Sequence, residues 1–193
     1  MKFIPKHPWS MLTTFRRCYL VNFSMDPEIL EKVLPDPIKP HLYNGKAFLS
    51  IVISDLEKMR PIFLPKALGT TYNQIIYRAV VELNNKPGVF FVRSDSDSRF
   101  MNLMGNIFSN FKLNTAKIDF QASSFKLRTT DNANINAEYH HLNTNDLPTQ
   151  SIFDSFNDAT KHLVELYSAF SIRDGVGYQV QIKRGNWNCE SVN

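Results

Sequence analysis

Hydrophobic residues in this sequence fall mainly into short runs that either alternate with polar residues, as in β-strands, or are apolar throughout. Residues 11–23 and 70–83 form two long runs of this kind. The core of 46–54, FLSIVI, is apolar on both faces, which is typical of a strand covered on both sides. The turn residues 84–88 and the run 89–93 predict a hairpin with 70–83. Further strands are predicted near 111–120, 123–130, 134–142 and 178–182.

Three other segments have apolar residues at helical spacing. The first begins at Asp26-Pro27-Glu28, where Asp suits the cap and Pro suits the first turn. The second is predicted over 97–110, with capping side chains from Ser94–Asp97. Its apolar residues are Phe100, Leu103, Met104, Ile107 and Phe108. The third and longest is predicted over 150–170, where one stripe contains Ile152, Phe156, Ala159, Leu163, Leu166 and Phe170.

This order of elements predicts one α+β domain over residues 1–193 that is mainly β, because many antiparallel strands accompany three helices. Long strands that are apolar on both faces favour a closed or strongly curled sheet.

Composition narrows the class of protein. Hydrophobic residues make up 43% of the chain and charged residues 21%, which is ordinary for a globular domain. The net charge of +4 is spread along the chain without a basic patch, and this argues against nucleic acid as a partner. The opening MKFIPKHPW has no apolar leader segment, and no apolar run approaches the length of a membrane span. We therefore expect a cytoplasmic protein with no membrane partner, in which Cys18 and Cys189 are reduced.

Motifs for metals and nucleotides are absent from the sequence. It contains no HExxH, HxH or CxxC and no glycine-rich phosphate loop, so neither a metal nor a cofactor is expected. His140 and His141 are adjacent on a predicted strand, where their rings point to opposite faces.

Arg78 is the most informative polar residue, because it interrupts the apolar strand IIYRAVV. A buried guanidinium needs partners, and its planar fork suits carboxylates. In one interpretation Arg78 belongs to a structural ion-pair group with Asp95 and Asp97, and with Arg99 close by in sequence. In the other it projects into a barrel cavity and receives the carboxylate of a ligand. Both interpretations stay open at this point.

Lysines matter because a desolvated lysine loses its proton and becomes a nucleophile near neutral pH. Lys112 and Lys117 follow the second predicted helix, in SNFKLNTAK. Most lysines are solvated and inert, so Lys112 is only a weak catalytic candidate.

The order of several segments resembles the YqjF-like family, domain of unknown function 2071, within the acetoacetate decarboxylase-like superfamily. The matching segments, which extend from His7-Pro8-Trp9 to the end of the chain, are Val33-Leu34-Pro35, Asn44–Ala47, Arg60-Pro61, Tyr72–Arg78, Gly88–Arg99, Leu163–Phe170, and Val180–Arg184 with Trp187. Each piece is weak alone, and the resemblance rests on their order and spacing.

The resemblance implies a curled, largely antiparallel barrel with a central cavity and peripheral helices. In true acetoacetate decarboxylases, a lysine pair in a GFPKK-like segment forms and tunes a Schiff base with a β-keto acid. The matching segment here is Ile107–Lys112, which has Ser109-Asn110 and no adjacent lysine pair. Gln74 replaces a glutamate that the family commonly has on the preceding strand. Both departures argue against decarboxylation.

Three functions are compatible with the sequence. The leading hypothesis is a domain that binds a small organic acid in its cavity without Schiff-base catalysis, with Arg78 as anchor and Gln74 and Asn110 as polar contacts. The first alternative is a Schiff-base lyase acting on a keto acid through Lys112. The second is a structural or interaction domain with a filled core. Homo-oligomers are common in the superfamily, so a second copy is an expected partner by analogy.

Overall fold

The computed structural model describes residues 3–5, 9–108, 113–121, 124–129, 134–138, 146–173, 175–183, 185 and 189. Within them the chain is mainly sheet with three α-helices, and this confirms the predicted α+β class. The helices are α1 (Pro27–Glu31), α2 (Arg99–Phe108) and α3 (Phe156–Leu163), with a short 3₁₀ turn at Lys66–Leu68.

Eleven strands in the described residues form the sheet, which curls into a half-barrel. They are β1 (Phe3–Pro5), β2 (Met11–Met25), β3 (Lys39–Pro40), β4 (Ala47–Pro61), β5 (Thr70–Leu83), β6 (Lys86–Ser96), β7 (Leu113–Phe120), β8 (Ser124–Thr129), β9 (Asn134–Glu138), β10 (Ser168–Arg173) and β11 (Val176–Gln181).

The centre of the sheet is the antiparallel run β2–β4–β5–β6, and the sheet divides beyond β6. The first half of β6 pairs with β10, through Val89 and Phe90. The second half, Ser94–Ser96, pairs with β7, which leads into β8 and β9. One strand therefore holds two branches of the sheet.

The β7–β9 branch packs back over one face of the central strands. Ile53 on β4 and Ile75 on β5 contact Ala116, Ile118 and Leu127 from that branch. Further along the same face, Leu30 of α1 and Ile38 pack with Ala79 and Val81 in a second cluster. This face holds most of the apolar core, and we call it the apolar face.

The β5–β6 hairpin turns more tightly than the sequence predicts. Its loop has two residues, Asn84 and Asn85, both with positive φ, and Pro87 and Gly88 already belong to β6. A Cβ added at Gly88 would lie 2.6 Å from the Ser168 carbonyl oxygen on β10. Glycine is needed here because another strand approaches closely.

The predicted helix over 150–170 is wrong in its extent. Only Phe156–Leu163 is helical, capped by the Ser155 hydroxyl, which accepts from the Asp158 N–H at 3.1 Å. Ser168–Arg173 is strand β10, paired with both β6 and β11. Because β10 is buried along most of its length, a period-two pattern cannot reveal it, and its apolar residues also fit a helical stripe.

Candidate functional site

The other face of β4, β5 and β6 carries a set of buried polar side chains, and we call it the polar face. Residues directly opposite one another in an antiparallel pair share a face. The three aligned rows are Ser54–Gln74–Ser96, Val52–Ile76–Ser94 and Ser50–Arg78–Phe91.

Arg78 lies in the last of these rows and is 6% exposed. Its Nη2 donates to the Leu163 carbonyl oxygen at 2.6 Å, at the end of α3. Leu163 also packs with Phe48, Val80 and Val89. Helix α3 therefore covers the polar face at its Arg78 end.

The opposite end of the polar face is covered by α2. Ser96 donates to the Asn102 side-chain oxygen at 2.6 Å, and the Asn102 amide donates to the Asn114 carbonyl oxygen at 3.1 Å. Between the two helices, Gln74 and Ile76 are half-buried. Gln74 and Arg78 are four residues apart on one strand, which places their Cα atoms about 13 Å apart.

The serine hydroxyls of the polar face differ in their hydrogen-bond partners. Ser50 donates to the Asn22 side-chain oxygen at 2.7 Å. Ser54 lies 3.9 Å from the Cys18 sulfur. The Ser94 hydroxyl is fully buried and has no hydrogen-bond partner among the described residues.

The predicted capping role of Ser94–Asp97 is wrong. Ser94 and Ser96 are strand residues of β6, and the hydroxyl that accepts from the first turn of α2 is that of Ser98, 3.3 Å from the Met101 N–H. A run of Ser and Asp before a helix suits a cap as well as a strand, so the local signal could not separate them.

The two aspartates considered as partners of Arg78 have other partners. Asp95 forms an ion pair with Arg93 at 2.9 Å, and Asp97 accepts from the backbone and side-chain nitrogens of Asn73, both at 2.8 Å. Asp95 is opposite Ile75, so its carboxylate lies on the apolar face and Arg78 lies on the polar face. Arg99 is exposed at the first residue of α2.

The remaining predicted site residues lie mostly outside the described residues. These are Asn110, Lys112, His140 and His141. Lys117 is described, and it is exposed on β7. An exposed lysine lacks the desolvation that a lysine nucleophile needs.

Two clefts in the described part of the chain are lined by other residues than the three aligned rows. One of about 350 Å³ is lined by Arg16, Asp55, Tyr72, Asn73 and Asp97, together with Thr71 and Ser98. Burial raises the pKa of Tyr72, with a smaller contribution from Asp97. Another of about 280 Å³ lies on the β7–β9 branch. Neither cleft is lined by Arg78 or Gln74.

No group of three or more metal-ligating side chains occurs in the part of the chain that the structure describes. None of its described helices is long and apolar enough to cross a membrane.

Comparison with known families decides the relationship. The model of DUF2071, described as "Uncharacterized conserved protein", matches residues 13–193. The chain belongs to the DUF2071 family. This confirms the resemblance inferred from the order of the segments. One similar protein is "Uncharacterized protein YqjF" of Bacillus subtilis (strain 168), which is 28% identical over 97 residues. That match covers 50% of this chain and 40% of YqjF.

Solved structures similar to this DUF2071 chain are acetoacetate decarboxylase-like. An acetoacetate decarboxylase-like enzyme from Sphingomonas wittichii RW1 has a TM-score of 0.55 at 11% identity, covering 86% of this chain and 65% of its own. Acetoacetate decarboxylase from Legionella pneumophila has a TM-score of 0.52 at 13% identity. The match covers 88% of this chain and 62% of the decarboxylase. The enduracididine biosynthesis enzyme MppR, in complex with pyruvate, has a TM-score of 0.52 at 10% identity. The match covers 72% of this chain and 60% of MppR. At these identities the likeness concerns the fold alone, and this chain spans under two thirds of each neighbour.

Proposed function

We propose that this protein binds a small organic acid on the polar face, with the Arg78 guanidinium receiving the carboxylate and without forming a Schiff base. The burial of Arg78 within a polar face is the observation that carries the proposal. Its cross-strand neighbours are Ser50 and Phe91. A guanidinium in such surroundings offers a carboxylate two parallel hydrogen bonds in a region of reduced solvent screening.

The neighbouring side chains support a ligand of mixed character. Val52 and Ile76 supply an apolar floor, and Gln74 lies half-buried beside them. The Ser94 hydroxyl, which has no hydrogen-bond partner among the described residues, offers a donor or acceptor to a ligand oxygen. Asn110 is proposed as a further polar contact. Small-molecule sites commonly combine apolar walls with a few converging polar groups.

Pyruvate is the natural first probe, because the structurally similar MppR has been solved in complex with it. It is also a compact carboxylate that carries one further oxygen for a second polar contact. Acetone, which keeps the carbonyl and lacks the carboxylate, serves as the uncharged comparison.

The test is a calorimetric titration of pyruvate into the wild type and into Arg78→Met, which keeps apolar bulk and removes the charge. A hydrogen bond to a charged group contributes about 1.5–3 kcal/mol, so we expect binding roughly 10- to 100-fold weaker in the variant. Arg99→Met, at an exposed arginine on α2, is the matched control and should bind as the wild type does.

Two outcomes would contradict the proposal. Equal affinity in the wild type and Arg78→Met would remove Arg78 from the site. A wild type that binds none of a panel of keto and hydroxy acids would favour the alternative of a structural domain with a filled core. Circular dichroism of each variant verifies that it is folded before binding is compared.

The absence of a Schiff base is tested separately. Borohydride added together with a β-keto acid reduces an imine to a stable amine, so an adduct appears as added mass on one lysine. We expect no adduct. Added mass at Lys112 would support the lyase alternative instead.

A further inference from the structure

Helix α2 is oriented opposite to the usual arrangement of a surface helix. Among its described side chains the most buried is polar: Asn102 is 6% exposed and bonds to Ser96, Asn114 and Thr115. One turn later, the exposed Asn106 side chain donates to the Leu113 carbonyl oxygen at 2.8 Å and accepts from its N–H at 2.7 Å. Asparagine side chains therefore attach α2 to the ends of β6 and β7.

Three apolar side chains of α2 face outward, whereas Met101 and Met104 are half-buried. Phe100, Leu103 and Ile107 are 59%, 61% and 55% exposed. Residues at these spacings lie on one side of a helix, so the three form a continuous stripe, which we call the α2 stripe. A surface helix ordinarily turns such a stripe to the core. Here it is left for another surface to cover.

We propose that the α2 stripe packs against the α2 stripe of a second copy of this chain, with the two helices antiparallel about a two-fold axis near Leu103. The stripe is self-complementary in this arrangement. Phe100 of one copy meets Ile107 of the other, and the two Leu103 side chains meet at the axis. Each side chain then contacts an apolar side chain, as an isologous interface requires.

Charge favours the same arrangement. Arg99 is the one charged residue of α2, at its N-terminal end. Antiparallel packing places Arg99 beside the C-terminal end of the second helix, where the helix dipole favours a cation. No other charge of α2 has to be desolvated when the stripes meet.

The apolar area of the α2 stripe sets the expected affinity of the dimer. At the observed exposures, the three side chains present roughly 300 Å² per copy, the scale of the largest apolar patch on many monomers. Two stripes together bury about 600 Å², against the roughly 1,200–2,000 Å² of a standard stable interface. We therefore expect a weak dimer whose population rises with protein concentration.

Sedimentation equilibrium from about 10 µM to about 1 mM tests the proposal, since affinities in this range correspond to weak association. The wild type should show a growing dimer fraction. Leu103→Glu brings two carboxylates together at the axis and should weaken association at least tenfold. Ile29→Glu is the matched control, because Ile29 is 55% exposed on α1, and it should associate as the wild type does.

A covalent test does not depend on the strength of the dimer. With Cys18 and Cys189 replaced by serine, Leu103→Cys should form a disulfide-linked dimer on mild oxidation, because residues at the axis come within disulfide range. Ile29→Cys in the same background should not. A wild type that stays monomeric up to about 1 mM, or dimers that Leu103→Glu leaves unchanged, would overturn the proposal.

Discussion

His162 is held in a cluster of rings that opposes its protonation. Its ring stacks on His41 at a centroid distance of 4.8 Å and meets Phe48 edge-on at 5.3 Å. Its Nε2 is buried and has no hydrogen-bond partner among the described residues. Burial, and then the charge of His41, lower the pKa of His162 to about 4, partly offset by a hydrogen bond to the His41 backbone. His41 in turn contacts Glu82 at 3.0 Å.

This arrangement predicts a specific pH dependence of stability. The unfolded chain takes up a proton at His162 near pH 6.5, and the folded chain does so only near pH 4. The contribution of His162 is therefore fully present above pH 6.5 and is lost as the pH falls towards 4. Urea denaturation across this range should show a smaller loss of stability for His162→Phe than for the wild type. An equal loss in both would contradict the lowered pKa.

Among single residues, the sequence revealed Arg78 but not the serines around it. A charge inside an apolar strand is rare enough to be noticed, and the structure buries Arg78. Ser50 and Ser94 were missed because serine is common in loops, caps and strands alike. That Ser50 lies opposite Arg78, and Ser94 opposite Ile76, is known only when the register between the strands is known.

At the scale of elements, the β5–β6 hairpin is set by its two-residue turn. Asn84 and Asn85 have φ values of 52° and 61°, the left-handed region that a type I′ turn requires at both positions. Glycine adopts this region most easily, and among residues with a side chain asparagine is one of those that tolerate it best. The turn fixes the pairing from Leu83 with Lys86 as far as Arg78 with Phe91, and a bulge beyond Arg78 shifts the register by one residue, which aligns Gln74 with Ser96.

Substitutions at Asn85 test this account of the turn. Asn85→Ala should destabilise the protein by about 1 kcal/mol, because alanine pays the full cost of the left-handed conformation. Asn85→Gly should leave stability unchanged or raise it slightly. Chemical denaturation measures both. Equal stability of the alanine and glycine variants would show that the turn does not limit the hairpin.

Strands were more predictable than helices in this chain. The run 70–83 coincides with β5, because its apolar positions and its turn are local features. Helical spacing correctly located α2, but it could not show that Asn102 faces inward, since that depends on the polar strand ends beneath it. The segment 168–173 became a strand because β6 and β11 pair with it from distant parts of the sequence.

At the scale of the whole molecule, the family resemblance supplied what local patterns could not. Alternation alone favoured a curled sheet, and the order of the segments pointed to the acetoacetate decarboxylase-like fold that the solved structures share. The division of the sheet at β6 was not predicted, because it depends on one strand sharing an edge between β7 and β10. That division leaves the polar face between α2 and α3.

The most direct test of the central claim is a crystal structure of the protein grown with pyruvate. We expect the pyruvate carboxylate within about 3 Å of the Arg78 guanidinium, in a charge-assisted hydrogen bond, with its keto oxygen towards Ser94 or Gln74. Pyruvate bound instead in the cleft between Arg16 and Asp97, or joined covalently to a lysine, would contradict the account.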